Sequence, residues 1–163
     1  MNQIIEIYTD GSCNPKYGIG GWAALILVEG KQIIIHESVT NTSHNRMELT
    51  AVINSIEYVK KEFANINVIK IFTDSQYVVG IPTRALKLKS KDFITNAGKK
   101  LQNTDLVKEL IQLIDSMKIE FIKVKAHQKV SGLPNYNREV DKLSRKIVRE
   151  QIKSSLDIRS ATK

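Results

Sequence analysis

The chain has 163 residues, enough for one domain with a substantial core. Its 25 lysines and arginines against 17 aspartates and glutamates give a formal net charge of +8, which favours a polyanionic partner. No apolar run is long enough to span a bilayer, no basic-then-apolar leader opens the chain, and the single cysteine, Cys13, excludes an internal disulfide and fits a reducing, cytoplasmic setting; no membrane partner is expected, and the chain is taken to be a monomer.

Ile4-Ile5-Glu6-Ile7-Tyr8-Thr9-Asp10 is rich in β-branched and aromatic residues and is expected to be a strand buried on both faces, ending at Asp10 because Gly11-Ser12 is turn chemistry. Residues 22–28 and 32–39 form a second and a third strand, paired antiparallel across a tight connection at Glu29-Gly30-Lys31. Polar residues 40–45 initiate a helix, in which Leu49, Val52, Ile53, Ile56, Val59 and Phe63 recur at helical spacing. A fourth strand, Val68-Ile69-Lys70-Ile71-Phe72-Thr73, runs into Asp74. Residues 75–80 read as a short helix interrupted by Pro82, and 84–100 as a helix plus a protruding loop. That segment carries Arg84, Lys87, Lys89, Lys91, Lys99 and Lys100 against Asp92 alone. An amphipathic helix at 105–117, a fifth strand at 119–124, a loop at 125–137 and a last helix from Arg138 complete one domain at 1–154, with a polar, frayed tail at 155–163.

An antiparallel pair followed by alternating helices and strands implies an α/β fold: a mixed five-stranded sheet, three strands parallel, with helices on both faces. Ligands in such sheets bind beyond the carboxyl ends of the parallel strands. Asp10 and Asp74 end two of these strands, each after a threonine. Glu48, placed in the first turn of its helix, and Asp141, near the start of the last helix, can reach the same end. Taken singly, each acid has an ordinary reading: a turn cap, a helix-start Glu, an exposed ion pair between Asp141 and Arg145. Four carboxylates together repel one another, and hard divalent cations with oxygen ligands are the usual remedy. Acids around two metal ions are a recurring arrangement for in-line displacement at phosphorus.

Tyr8-Thr9-Asp10-Gly11-Ser12-Cys13, Asn45-Arg46-Met47-Glu48-Leu49, Thr73-Asp74-Ser75-Gln76-Tyr77-Val78 and Asn137-Arg138-Glu139-Val140-Asp141-Lys142-Leu143, in this order, resemble the motifs of ribonuclease H, type 1, over nearly the whole chain. The resemblance implies a ribonuclease H-like fold and an endonuclease that hydrolyses the RNA strand of RNA–DNA hybrids, leaving 5′-phosphate and 3′-hydroxyl ends. It implies Asp10, Glu48, Asp74 and Asp141 as ligands of two Mg²⁺ ions, with Mn²⁺ as a substitute, and His127 as a proton shuttle. By the same resemblance, Asn14, His44, Asn45 and Gln76 contact the hybrid, and Ser43 and Asn103 meet a DNA-strand phosphate. The resemblance likewise implies that Lys87, Lys89 and Lys91 lie on a handle that grips the duplex. The chain departs from the family pattern in its first loop, in a handle without tryptophan, and in a longer histidine loop with Ala126 before His127. Two other readings are another nuclease or strand-transferase of this fold, such as an integrase or resolvase, and a non-catalytic hybrid-binding module, which would be expected to lack at least one of the acids.

Overall fold

The computed structural model describes residues 3–125 and 134–161. Three strands, β1 (Gln3–Asn14), β2 (Ile19–Val28) and β3 (Lys31–Thr40), form an antiparallel meander. Glu29 and Gly30 alone separate the paired residues Val28 and Lys31. Helix α1 (His44–Glu62) then crosses to β4 (Ile66–Thr73). Two helices in succession, α2 (Gln76–Val79) and α3 (Ile81–Ser90), lead to α4 (Thr104–Ser116), β5 (Ile119–Lys123) and α5 (Tyr136–Ala161). The sheet order is β3-β2-β1-β4-β5, with β1, β4 and β5 parallel, as the pattern of elements implied.

Alternation along β1 sorts its side chains between two layers. Ile5 and Ile7 join Leu49, Val52, Ile53 and Ile56 of α1 in the main core, which α4 closes through Val107, Leu110 and Ile111. Tyr8 points to the other face, where α5 packs Val140 and Leu143 over Ala23 and Leu25. There the Tyr8 ring stacks on Phe72 at 4.5 Å and meets Tyr136 at 5.2 Å. The central strand is thus sandwiched between α1 and α5, and both helices deliver their polar N-terminal regions to the same end of the sheet.

Several boundaries differ from the sequence expectation, each for a local reason. β1 does not stop at Asp10: its parallel ladder with β4 ends at Tyr8–Phe72, but its antiparallel ladder with β2 continues to Asn14–Ile19. Asp10 therefore lies inside a strand, at the point where one edge of that strand opens into a crevice. Glu48 is the fifth residue of α1, whose cap is Ser43, and so lies beyond the first turn. Pro82 does not interrupt a helix but sits in the first turn of α3, where its missing N–H costs nothing. Residues 155–161, expected as a frayed tail, continue α5. No glycine or proline follows Pro134 to break that helix, and a Lys146–Glu150 pair supports it.

Candidate active site

Asp10, Glu48 and Asp74 each offer a carboxylate oxygen, and these three atoms lie within 4.8 Å of one another. β1 supplies Asp10 and the residue after β4 supplies Asp74. α1 supplies Glu48 because its backbone passes hard against Gly11. A Cβ at Gly11 would collide with the Glu48 nitrogen and the Met47 carbonyl carbon, so only glycine lets helix and strand come this close. The contact is also polar, since the Gly11 N–H donates to Glu48 Oε1 at 3.0 Å. From the other face α5 approaches β2 over Gly21, where a Cβ would press on Ile147 and the Ser144 carbonyl. That approach brings the Ser144 hydroxyl to 2.6 Å from Asp10 Oδ2, which accepts its hydrogen bond.

Asp10 and Glu48 are 4 % and 1 % exposed, a costly place for two carboxylates. Burial pushes the Asp10 carboxyl up to about 7, and the neighbouring Asp74 and Asp141 push the same way against the Ser144 hydrogen bond. Burial, followed by the nearby Asp10, raises Glu48 well above the usual carboxylate range, with the Gly11 N–H opposing. Glu48 Oε2 is buried, and among the described residues no donor reaches it when Asp10 is ionised. A proton shared with Asp10 or a cation is what can satisfy it. Three carboxylates with hard oxygen donors this close together, one of them with a buried unsatisfied oxygen, fit a divalent cation.

Asp141 lines the same cleft, of about 490 Å³, but stands outside the three-acid group. Its Oδ1 pairs with Arg145 Nε at 3.1 Å, the ion pair that the spacing allowed. His44, Asn45 and Gln76 also line the cleft, and His44 Nε2 is 3.7 Å from Glu48 Oε1. Asn14 closes a turn instead, its Oδ1 accepting from the Lys16 N–H at 3.0 Å. Ser43 caps α1 through the Arg46 N–H and, with Asn45, Gln102 and Asn103, lines a second depression beside the first. Asn103 is left-handed, φ 58°, at the cap position of α4, and its Oδ1 accepts from Arg46 Nη1 at 3.3 Å. Arg46 also forks onto Asp105 at 3.0 and 2.9 Å, tying the starts of α1 and α4 and holding the Asp105 carboxyl down to about 2.

On the basic segment, Lys87 is exposed, Lys89 pairs with Asp115 at 2.6 Å, and Lys91 donates to Asn96 at 2.5 Å. Phe93 packs against the core, with Lys108 5.0 Å over its ring. His127 lies outside the described residues. Sequence reasoning missed two contributors, Gly11 and Ser144. A glycine after a strand and a serine on a helix carry no signal of their own until the neighbours they touch are known.

The RNase H family model matches residues 2–149. The ribonuclease H of Wolbachia sp. subsp. Drosophila simulans (strain wRi) is 41% identical over 145 residues, covering 88% of this chain and 94% of the relative. That of Caldanaerobacter subterraneus subsp. tengcongensis is 31% identical over 156 residues, covering 94% and 97%. Among solved structures, the type 1 enzyme LC9-RNase H1 superposes with a TM-score of 0.76 at 22% identity, over 93% of this chain and 74% of that one, a likeness of fold. With the acids converging at the open end of β1, this chain belongs to the RNase H family and is a hydrolytic ribonuclease.

Proposed function

We propose that this ribonuclease cuts the RNA strand of RNA–DNA hybrids endonucleolytically, leaving 5′-phosphate and 3′-hydroxyl ends, with two Mg²⁺ ions held at the three-acid group and Mn²⁺ able to replace them. The observation that carries the reading is the buried group itself, with Glu48 Oε2 unsatisfied. Asp10, Glu48 and Asp74 would hold the cations, and Asp141 would join them on exchanging its Arg145 contact. Divalent cations bound there lower the pKa of an attacking water and stabilise charge developing on the phosphate oxygens.

The chain's own residues do the rest. The Gly11 N–H and the Ser144 hydroxyl fix one oxygen of each inner acid. His44, Asn45 and Gln76 line the cleft and offer donors to a bound strand, and Ser43 with Asn103 line a depression suited to a phosphate of the other strand. His127 is proposed as the proton-transfer group, since imidazole exchanges protons near neutral pH. Lys87, Lys89 and Lys91 would grip the duplex, while Asn14, committed to its turn, is the weakest of the proposed contacts. Among the described residues no helix is long and apolar enough to cross a membrane, and a cytoplasmic monomer belongs to the same proposal. Cleavage assays on hybrid, duplex RNA and duplex DNA, each with Mg²⁺ and with EDTA, test it. Cutting of the RNA strand of the hybrid alone, and only with metal, is expected; equal cutting of duplex DNA would point to another nuclease of this fold, and none at all to a binding module.

A further inference from the structure

Ser144 is completely buried in the interior of α5, three residues after Asp141. A buried helical serine ordinarily bonds back to a carbonyl of the preceding turn, and the Asp141 carbonyl lies 3.1 Å from its Oγ. Asp10 Oδ2 is nearer, at 2.6 Å, within the short range of an O–H donated to a carboxylate. A hydroxyl has one proton to give, and distance and charge both assign it to Asp10.

The second inner acid is held in a parallel way. Glu48 Oε1 accepts the Gly11 N–H, so each inner acid has one oxygen fixed by a donor from a different element: β1 holds the acid of α1, and α5 holds the acid of β1. The oxygens left over are Asp10 Oδ1 and Glu48 Oε2. The Ser144 contact exists only because α5 lies tightly on β2 over Gly21. The docking of that helix and the rotamer of Asp10 are one arrangement.

We propose that Ser144 is a positioning residue for the metal site: its hydroxyl fixes one oxygen of Asp10 so that the other is presented to the cation. The inference rests on the proposal that these acids hold divalent metal. Outer hydrogen bonds to metal-ligating groups typically change affinity by about 10–100-fold when removed.

The test is Mn²⁺ binding to the full chain without substrate, by titration calorimetry, beside thermal unfolding of the metal-free protein. Wild type, Ser144→Ala and Ser144→Cys are compared; the cysteine is close in volume with a much weaker donor, and stands in should the alanine variant not fold. Expected is an Mn²⁺ Kd raised about tenfold or more in either variant, with a correspondingly smaller Mn²⁺-induced rise in Tm. Unchanged Mn²⁺ affinity with a lowered metal-free Tm would overturn the inference and leave Ser144 as a packing residue, the metal site still standing. Failure of the wild type to bind Mn²⁺ would overturn the site assignment and this inference with it.

Discussion

Removing the charge of Asp10 should stabilise the metal-free protein at alkaline pH, the opposite of the usual effect of mutating a buried polar residue. The native carboxyl is held up at about 7 by burial and by Asp74 and Asp141, against an ordinary value of 3.8. Between these values the native state keeps a proton that the unfolded chain has released. Stability therefore falls as pH rises through that window and levels off above 7. At 1.36 kcal/mol per pKa unit, three units amount to on the order of 4 kcal/mol of destabilisation at pH 8. Asp10→Asn keeps the shape and can still accept the Ser144 hydroxyl, but carries no charge to bury. Urea unfolding in EDTA should find the variant more stable than wild type by about 2–4 kcal/mol at pH 8, and nearly equal at about pH 3.5, below the window. Mg²⁺ should then stabilise wild type at pH 8 and leave the variant almost unmoved, because the cation relieves a repulsion the variant lacks. An Asp10→Asn protein no more stable than wild type at pH 8, or equally stabilised at both pH values, would refute the reasoning.

Three further outcomes are expected. Gly11→Ala forces a Cβ into the backbone of α1 beside Glu48, and should cost about 1–3 kcal/mol in denaturant unfolding together with loss of cleavage; a cost below about 0.5 kcal/mol would mean the strand and helix can part. Replacing Lys87, Lys89 and Lys91 by alanine should raise KM and flatten the salt dependence of hybrid binding by about 0.7–0.9 for each phosphate no longer neutralised, whereas an unchanged slope would make them a solvated face. His127→Ala should lower kcat by about 10²-fold with KM nearly unchanged, and kinetics repeated across pH would show no loss at all if the imidazole takes no part.

The mixed sheet, its parallel strands and the meeting of Asp10, Glu48 and Asp74 were legible because each rests on a local pattern. Alternating or continuous apolar runs mark the strands, helical spacing marks α1, α4 and α5, and the repeated Thr-Asp at 9–10 and 73–74 marks the open sheet end. What could not be read depends on close approach between distant elements. Gly11 looks like a turn former, and its role emerges only once α1 lies across it. Ser144 is one serine among several on a polar helix until Asp10 is found 2.6 Å away. The turn residues after Asp10 point to a strand end there, yet β2 supplies pairing partners as far as Asn14. The same blindness to partners hid the surface contacts of Lys89 with Asp115 and of Lys91 with Asn96. Composition misled at the C-terminus as well: residues 155–161 are polar, but nothing in them breaks a helix already under way.

The most direct test of metal-dependent cleavage at the three-acid group is the rate of RNA-strand cutting as Mg²⁺ is titrated, for wild type and Asp74→Asn, with hybrid binding measured in parallel. Asp74 is the acid of the group that is not fully buried, so its replacement removes a metal ligand with the least disturbance to the core. Expected are no cleavage in EDTA, saturable activation of the wild type by Mg²⁺, and a collapse of cleavage in Asp74→Asn while hybrid binding is kept or strengthened. Near-normal Mg²⁺-dependent turnover by Asp74→Asn, or cleavage by the wild type in EDTA, would contradict the assignment.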